Sequence, residues 1–175
     1  DALIIALRAA GLQSGDEVIF CSHTFVATAA SIHFAGGIPV PVDCRADHLI
    51  DPVSVKKAIT HKTKALMPTQ LNGRTADMDA LQKIADEHGL FIVEDSAQGL
   101  GSKFKGRFAG TFGKAGPYSF YPAKVLGCFG DGGALVTDDD EIAEKIALLR
   151  KHGRGHDGLV KAWGLNSRLD NLQAA

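Results

Sequence analysis

The chain has 175 residues, 45% of them hydrophobic and 22% charged, with a formal net charge of -1. That is enough chain for one sizeable core, and its length favours a single domain. Near-neutral charge with Lys and Arg scattered along the chain leaves no electrostatic footprint for nucleic acid or an anionic membrane. The three cysteines, Cys21, Cys44 and Cys128, are odd in number and widely spaced. They argue against a disulfide framework or a structural zinc site and for a reducing, cytoplasmic setting. No apolar run approaches the roughly 20 residues of a membrane span. The sequence opens on Asp1 inside a helical pattern and closes on "RLDNLQAA" inside another, which reads as a piece of a longer polypeptide.

Taken in order, residues 2–10 read as a helix stopped by Gly11. "EVIF" (17–20) reads as a strand, 24–35 as a helix ending at Gly36-Gly37, and "IPVPVD" (38–43) as a strand. Asp51-Pro52 is an N-cap with proline in the first helical position, opening a helix to about Ile59. "KALMP" (64–68) is the next strand, Asp77 caps a helix that stops at Gly89, and "LFIVED" (90–95) is an almost wholly apolar strand. A glycine-rich stretch from Ser96 to about Gly116 shows little periodicity. Strands are expected near 117–121 and 133–137, then a capped helix from about Asp139 to Lys151. Apolar strands alternating with helices indicate an α/β fold, a three-layer sandwich around a mostly parallel sheet.

Ligands of such sheets bind at the carboxyl ends of the strands. The polar groups expected there are Ser22, His23 and Thr24 after the first strand, Thr69 and Gln70 after the third, Asp95 and Gln98 after the fourth, and Lys124 after the fifth. An Asp in Asp95's place is often no more than a loop cap. Gln98, three residues on in a glycine-rich loop, raises its interest. A carboxylate can bond a protonated ring nitrogen and an amide a ring oxygen, which suits pyridoxal phosphate (PLP). Lys124 follows Asp95 by 29 residues, among apolar neighbours Tyr121, Pro122, Val125 and Leu126. The apolar setting predicts a buried lysine, primed as a nucleophile. Ser119 offers a hydroxyl suited to a phosphate oxygen. Phe25 is either a core residue or a ring stacked on the cofactor. The Gly130-Asp131-Gly132-Gly133 turn is expected to let the backbone pass close to the lysine and re-enter the sheet.

Other readings weigh less. A dinucleotide fingerprint needs its glycines between a first strand and helix, whereas "GCFGDGG" comes late and precedes a strand. His152 and His156 have helical spacing, but Gly153 and Gly155 between them favour a loop over a metal site. His33 is expected to pack on its helix, and His23 to lie near the strand edge and substrate.

The segments "EVIFCSHTFVATAASI", "PTQLNGRTADMDAL", "VEDSAQGLGSKFKGRFAGTFG", "SFYPAKVLGCFGDGGALVTDD" and "GLNSRLDNLQAA" together resemble the DegT/DnrJ/EryC1/StrS family of PLP-dependent nucleotide-sugar aminotransferases. The resemblance spans essentially the whole chain. It implies that Lys124 anchors the cofactor covalently and carries the reaction's proton. Asp95 is implied to meet the pyridine nitrogen, Gln98 the ring oxygen, Ser119 the phosphate and Phe25 the ring face. Asn166 is implied to reach the phosphate of a neighbouring subunit's cofactor, which makes a homodimer with shared sites. The implied chemistry is two half-reactions, amine from glutamate and then amine to a nucleotide-linked keto-sugar. Related sugar dehydratases carry histidine at the Lys124 position, and a non-catalytic regulator built on the fold is a further alternative. Residues 1–175 would be the cofactor-binding large domain, truncated at both ends, with the family's phosphate loop just before Asp1 and its small C-terminal domain absent. Gln70 departs from the histidine many relatives carry there.

Overall fold

The computed structural model describes residues 1–175. Helices α1 (Ala2–Ala9), α2 (Ala27–Phe34), α3 (Pro52–Ala58) and α4 (Met78–His88) alternate with strands β1 (Glu17–Cys21), β2 (Ile38–Val42), β3 (Thr63–Met67) and β4 (Phe91–Ile92). A hairpin of β5 (Lys103–Phe104) and β6 (Arg107–Phe108) follows, then β7 (Gly116–Ser119), β8 (Gly133–Val136), α5 (Asp140–Leu149) and α6 (Asn171–Ala174). The central sheet runs β2-β1-β3-β4 with all pairs parallel. Parallel bridges from Thr69 to Asp95 and from Val93 to Ala115 carry it on to β7, which pairs antiparallel with β8.

Strand alternation sorts the core into two layers. Val18, Phe20, Ala65, Met67, Phe91 and Val93 face one side, packed with α1, α2 and Ile142 of α5. Ile19, Cys21, Leu66 and Ile92 face the other, packed with Val55 of α3 and Met78, Leu81 and Ile84 of α4. Each helix layer covers one face, as parallel sheets require. Side-chain caps start three helices: Asp51 accepts from the Val53 and Ser54 amides, Asp77 from Ala80, and Asp139 from Glu141 and Ile142. Such caps contribute about 1 kcal/mol each. Gly89 ends α4 in the left-handed region at φ 64°, where a side chain is strained.

Three boundaries differ from the sequence reading. The helix expected from residue 24 starts at Ala27, while the Thr24 hydroxyl lies before it, bonded to Thr28 and, across the fold, to Thr69. The strand expected over 90–95 keeps a regular ladder only at Phe91–Ile92. Beyond it, Glu94 and Ser96 donate their amides to Ala115 and Pro117, while Asp95 donates to Pro68. The stretch read as aperiodic from Ser96 contains the β5–β6 hairpin, turned by Lys105 and Gly106 at φ 49° and 84°.

Candidate active site

The ends of β1, β3, β4 and β7 meet at one edge of the sheet, and there the structure gathers most of the residues singled out above. Lys124, Gln98 and Ser119 line one cleft of about 360 Å³, together with Asn72, Ala97 and Leu100. Asp95 lies behind Ala97, 3% exposed, and one of its carboxylate oxygens accepts the Ala97 amide at 3.2 Å.

Asp95 is fixed from both sides along the backbone. Its N–H donates to the Pro68 carbonyl and its C=O accepts from Gln70, each at 2.9 Å. Its second carboxylate oxygen accepts from the Thr28 hydroxyl at 2.6 Å. Thr28 lies 2.7 Å from the Thr24 hydroxyl, which is 3.0 Å from Thr69. Burial pushes the Asp95 carboxyl above its ordinary range; the Thr28 hydroxyl, the Ala97 amide and the charge of Lys124 pull the other way. A deeply buried carboxylate with a cation in reach is the arrangement that accompanies functional sites.

Lys124 occupies a tight loop. Its amide donates to the Tyr121 carbonyl at 2.8 Å, and the loop is closed at its base where Cys128 donates to Phe120 and Phe120 to Gly132, both at 2.8 Å. A Cβ on Gly127 would meet the Pro122 carbonyl oxygen at 2.5 Å, and one on Gly132 the Cys128 sulfur at 2.8 Å. The glycines therefore let the loop fold back on itself and return to the sheet, packing on Pro122 and Cys128. Lys124 is half-buried, which corrects the expectation of a buried lysine. Its apolar neighbours Val125 and Leu126 line the same cleft but are themselves largely exposed, 88% and 56%. None of the chain's ion pairs involves Lys124.

Gln98 accepts the Asn72 amide at 3.2 Å through its side-chain oxygen, which leaves the NH2 group to donate into the cleft. Ser119 Oγ accepts the Tyr121 amide at 3.2 Å and keeps its own proton to donate. Phe25 is 70% exposed, so it is not a core residue, and it does not line the cleft. It sits between Thr24 and Thr28, whose hydroxyls lead to Asp95. Asn166 is exposed, accepts from Arg168 Nε at 2.9 Å and lies outside the cleft of its own chain. His23 is exposed with its ring 5.0 Å from that of His48. His33 is likewise exposed, and its ring lies edge-on to that of Phe34 on the same helix, 5.5 Å between centroids.

Sequence reasoning named Thr24 and Thr69 as strand-end polar groups but missed Thr28 and Glu94. Nothing local marks Thr28, whose partner Asp95 is 67 residues away. Glu94, fully buried, accepts from Gln70 Nε2 and the Gly110 amide at 2.7 Å and from the Phe112 and Gly113 amides at 2.5 and 2.9 Å. Gln70 is also fully buried, and its oxygen accepts the Ala76 amide at 2.8 Å. The departure at position 70 is thus a packing residue behind the site. The signal available was "VED" at the end of an apolar strand: successive strand residues face opposite ways, so both carboxylates cannot face one cleft.

A parallel α/β sheet with a lysine, an amide and a hydroxyl in one strand-end cleft, and a buried carboxylate behind it, defines the class: an α/β fold with a candidate site at its strand ends. The DegT/DnrJ/EryC1/StrS aminotransferase family model matches residues 1–175, and the chain belongs to that family. It is 51% identical over 176 residues to a dTDP-3-amino-3,4,6-trideoxy-alpha-D-glucose transaminase of Streptomyces venezuelae, covering all of this chain and 46% of that protein. It is 50% identical to a pleiotropic regulatory protein of Geobacillus stearothermophilus, covering 100% and 47%. The crystal structure of NtdA from Bacillus subtilis with bound cofactor PMP superposes with a TM-score of 0.91 at 37% identity, covering 99% of this chain and 40% of that one. The chain spans about half the length of the curated relatives it matches.

Proposed function

We propose that the protein transfers an amino group to a keto-sugar nucleotide, with glutamate as donor and pyridoxal phosphate as cofactor, in amino-sugar, polysaccharide or secondary-metabolite biosynthesis. The observation that carries the reading is the convergence of Lys124, Gln98 and Ser119 on one cleft with the Asp95 carboxylate behind it. The residues fit the cofactor chemically. Lys124 has no ion-pair partner, Gln98 and Ser119 keep uncommitted donors, and Asp95 is a carboxyl held where water is excluded. When bound, pyridoxal phosphate supplies an aldehyde and an electron-withdrawing ring.

In this reading Lys124 Nζ would hold the cofactor and would hold and move the proton of the reaction. Asp95 would hold a proton on the ring nitrogen, Gln98 would donate to the ring oxygen, Ser119 would donate to the phosphate and Phe25 would cover the ring. Residues 1–175 are the cofactor-binding large domain, and the enzyme works in the cytoplasm. No helix of the chain is long and apolar enough to cross a membrane. The partner is a second copy of the protein, to whose cofactor Asn166 donates. Support for that partner comes from Asn166 lying outside its own cleft and from the exposure of Val125, Phe129 (96%) and Trp163 (92%). A second reading, a regulator that keeps the fold without turnover, is favoured by the Geobacillus relative.

The test uses the full-length protein with pyridoxal phosphate, wild type against Lys124→Ala. Visible absorption is recorded, the adduct is trapped with borohydride and its position is mapped by peptide mass analysis. A yellow adduct at Lys124 that glutamate bleaches is the expected result. A colourless protein, or an adduct at another lysine, refutes the assignment. An adduct that no amino donor bleaches favours the regulator.

A further inference from the structure

The buried hydroxyls behind Asp95 go beyond packing. An ionised carboxylate only accepts hydrogen bonds, and a threonine hydroxyl has one proton to give. Thr28 gives its proton to Asp95 at 2.6 Å. Its oxygen can then only accept from Thr24, 2.7 Å away, and Thr24, having given its proton, can only accept from Thr69 at 3.0 Å. With Asp95 ionised, the polarity of the chain runs from Thr69 through Thr24 and Thr28 to the carboxylate, each bond polarising the next. It joins the ends of β1 and β3 and the first turn of α2 to the residue that ends the β4 segment.

From this one-way run of hydroxyls we infer that Thr28, with Thr24 and Thr69 behind it, is a positioning residue for the cofactor: it aims the Asp95 carboxylate and holds its charge ready for the ring nitrogen. The inference rests on the pyridoxal phosphate reading above. The charged groups around Asp95 leave this task to the hydroxyls. Glu94, its neighbour, is directed to the 110–113 turn and is consumed by four donors. Lys124 is the one charged side chain acting on Asp95, and in the proposed enzyme its amine is committed to the cofactor. Among the contacts that favour the ionised carboxyl, the Thr28 hydroxyl ranks first, against burial that disfavours it.

The experiment measures pyridoxal phosphate affinity against pH in the full-length protein, for wild type, Thr28→Val, Thr28→Ser and Thr24→Val. Valine keeps the shape and removes only the hydroxyl. We expect Thr28→Val to raise the dissociation constant about tenfold, the worth of one hydrogen bond to a charged group. The acid-side loss of affinity should also move to higher pH, since the carboxyl becomes easier to protonate. Thr28→Ser restores the donor and should stay near wild type, while Thr24→Val, acting at one remove, should give about a threefold loss. A purely structural role would change the melting point and leave the pH profile in place. Wild-type affinity and pH profile in folded Thr28→Val overturn the inference. Should that variant not fold, the same result in Thr24→Val, at a partly exposed loop position, overturns it. If the wild type takes up no pyridoxal phosphate, the cofactor reading fails instead. The Asp95 carboxyl titration by NMR then decides: it must move to higher pH in the valine variants, and an unmoved titration overturns the relay.

Discussion

Replacing Glu94 by Gln tests whether this buried carboxylate is the keystone behind the site. Four donors converge on its two oxygens, three of them backbone amides that have no other acceptor in the 110–113 turn. Glutamine keeps one oxygen and turns an NH2 toward two donors. Relief would require Gln70 to flip, and that costs the bond its oxygen accepts from Ala76. Two buried donors left unsatisfied, at about 1–3 kcal/mol each, give an expected loss of about 3 kcal/mol. At about 2–4 °C per kcal/mol the unfolding midpoint should fall by roughly 6–12 °C. The assay is thermal unfolding of the full-length protein, followed by circular dichroism, with Lys56→Met as control. Lys56 pairs with Glu87 across an exposed surface at 3.3 Å, and losing such a pair should leave the midpoint unmoved. A Glu94→Gln protein that melts within about 2 °C of wild type would refute the reasoning, because four satisfied bonds would then carry no net weight.

Gly127→Ala should cut the yield of borohydride-trapped adduct at Lys124, because the new Cβ meets the Pro122 carbonyl oxygen at 2.5 Å and must open the lysine loop. Gly158→Ala, at φ 80° but facing open space, should leave the yield as it is. Asp95 gives a pH dependence of definite sign. Its folded carboxyl titrates above the ordinary value because of burial, so the folded state binds this proton more tightly than the unfolded chain. Cofactor-free stability should therefore decline as pH rises from the ordinary aspartate range through the folded value, and Asp95→Asn should flatten that slope in urea titrations run at several pH values. Cys21, buried with its thiol pushed up chiefly by burial, should be the last cysteine alkylated in a timed mass-spectrometric assay, after Cys44 and Cys128.

Much of this was legible in the sequence, for reasons that differ by element. The caps Asp51, Asp77 and Asp139 and the stop at Gly89 act within a few residues, so local chemistry specified α3, α4 and α5 nearly to the residue. The apolar runs of β1 and β3 reported a sheet covered on both faces, and strand-end logic led to Asp95, Gln98, Ser119 and Lys124. What could not be read was anything whose partner is distant in sequence. Thr28 and Asp95 are 67 residues apart, Thr24 and Thr69 are 45 apart, and Gln70 and Glu94 are 24 apart. The burial of Lys124 was misjudged for a related reason: apolar neighbours in sequence were taken as an enclosing pocket, whereas here Val125 and Leu126 line the cleft with Lys124 and remain largely exposed themselves.

The dipeptide Glu94-Asp95 shows how one strand end builds both scaffold and site. Strand alternation turns two adjacent carboxylates to opposite faces. Glu94 gathers the amides of the 110–113 turn and thereby sets where β7 begins, three residues later at Gly116. β7 then delivers Ser119 and the Lys124 loop to the cleft beside Ala97 and Gln98. Asp95 is in turn aimed by hydroxyls from β1, α2 and β3. The distance between the carboxylate and the lysine is thus set through Glu94 as much as through either residue. A substitution at Glu94 should therefore weaken cofactor binding as well as the fold, without Glu94 touching the cofactor at all.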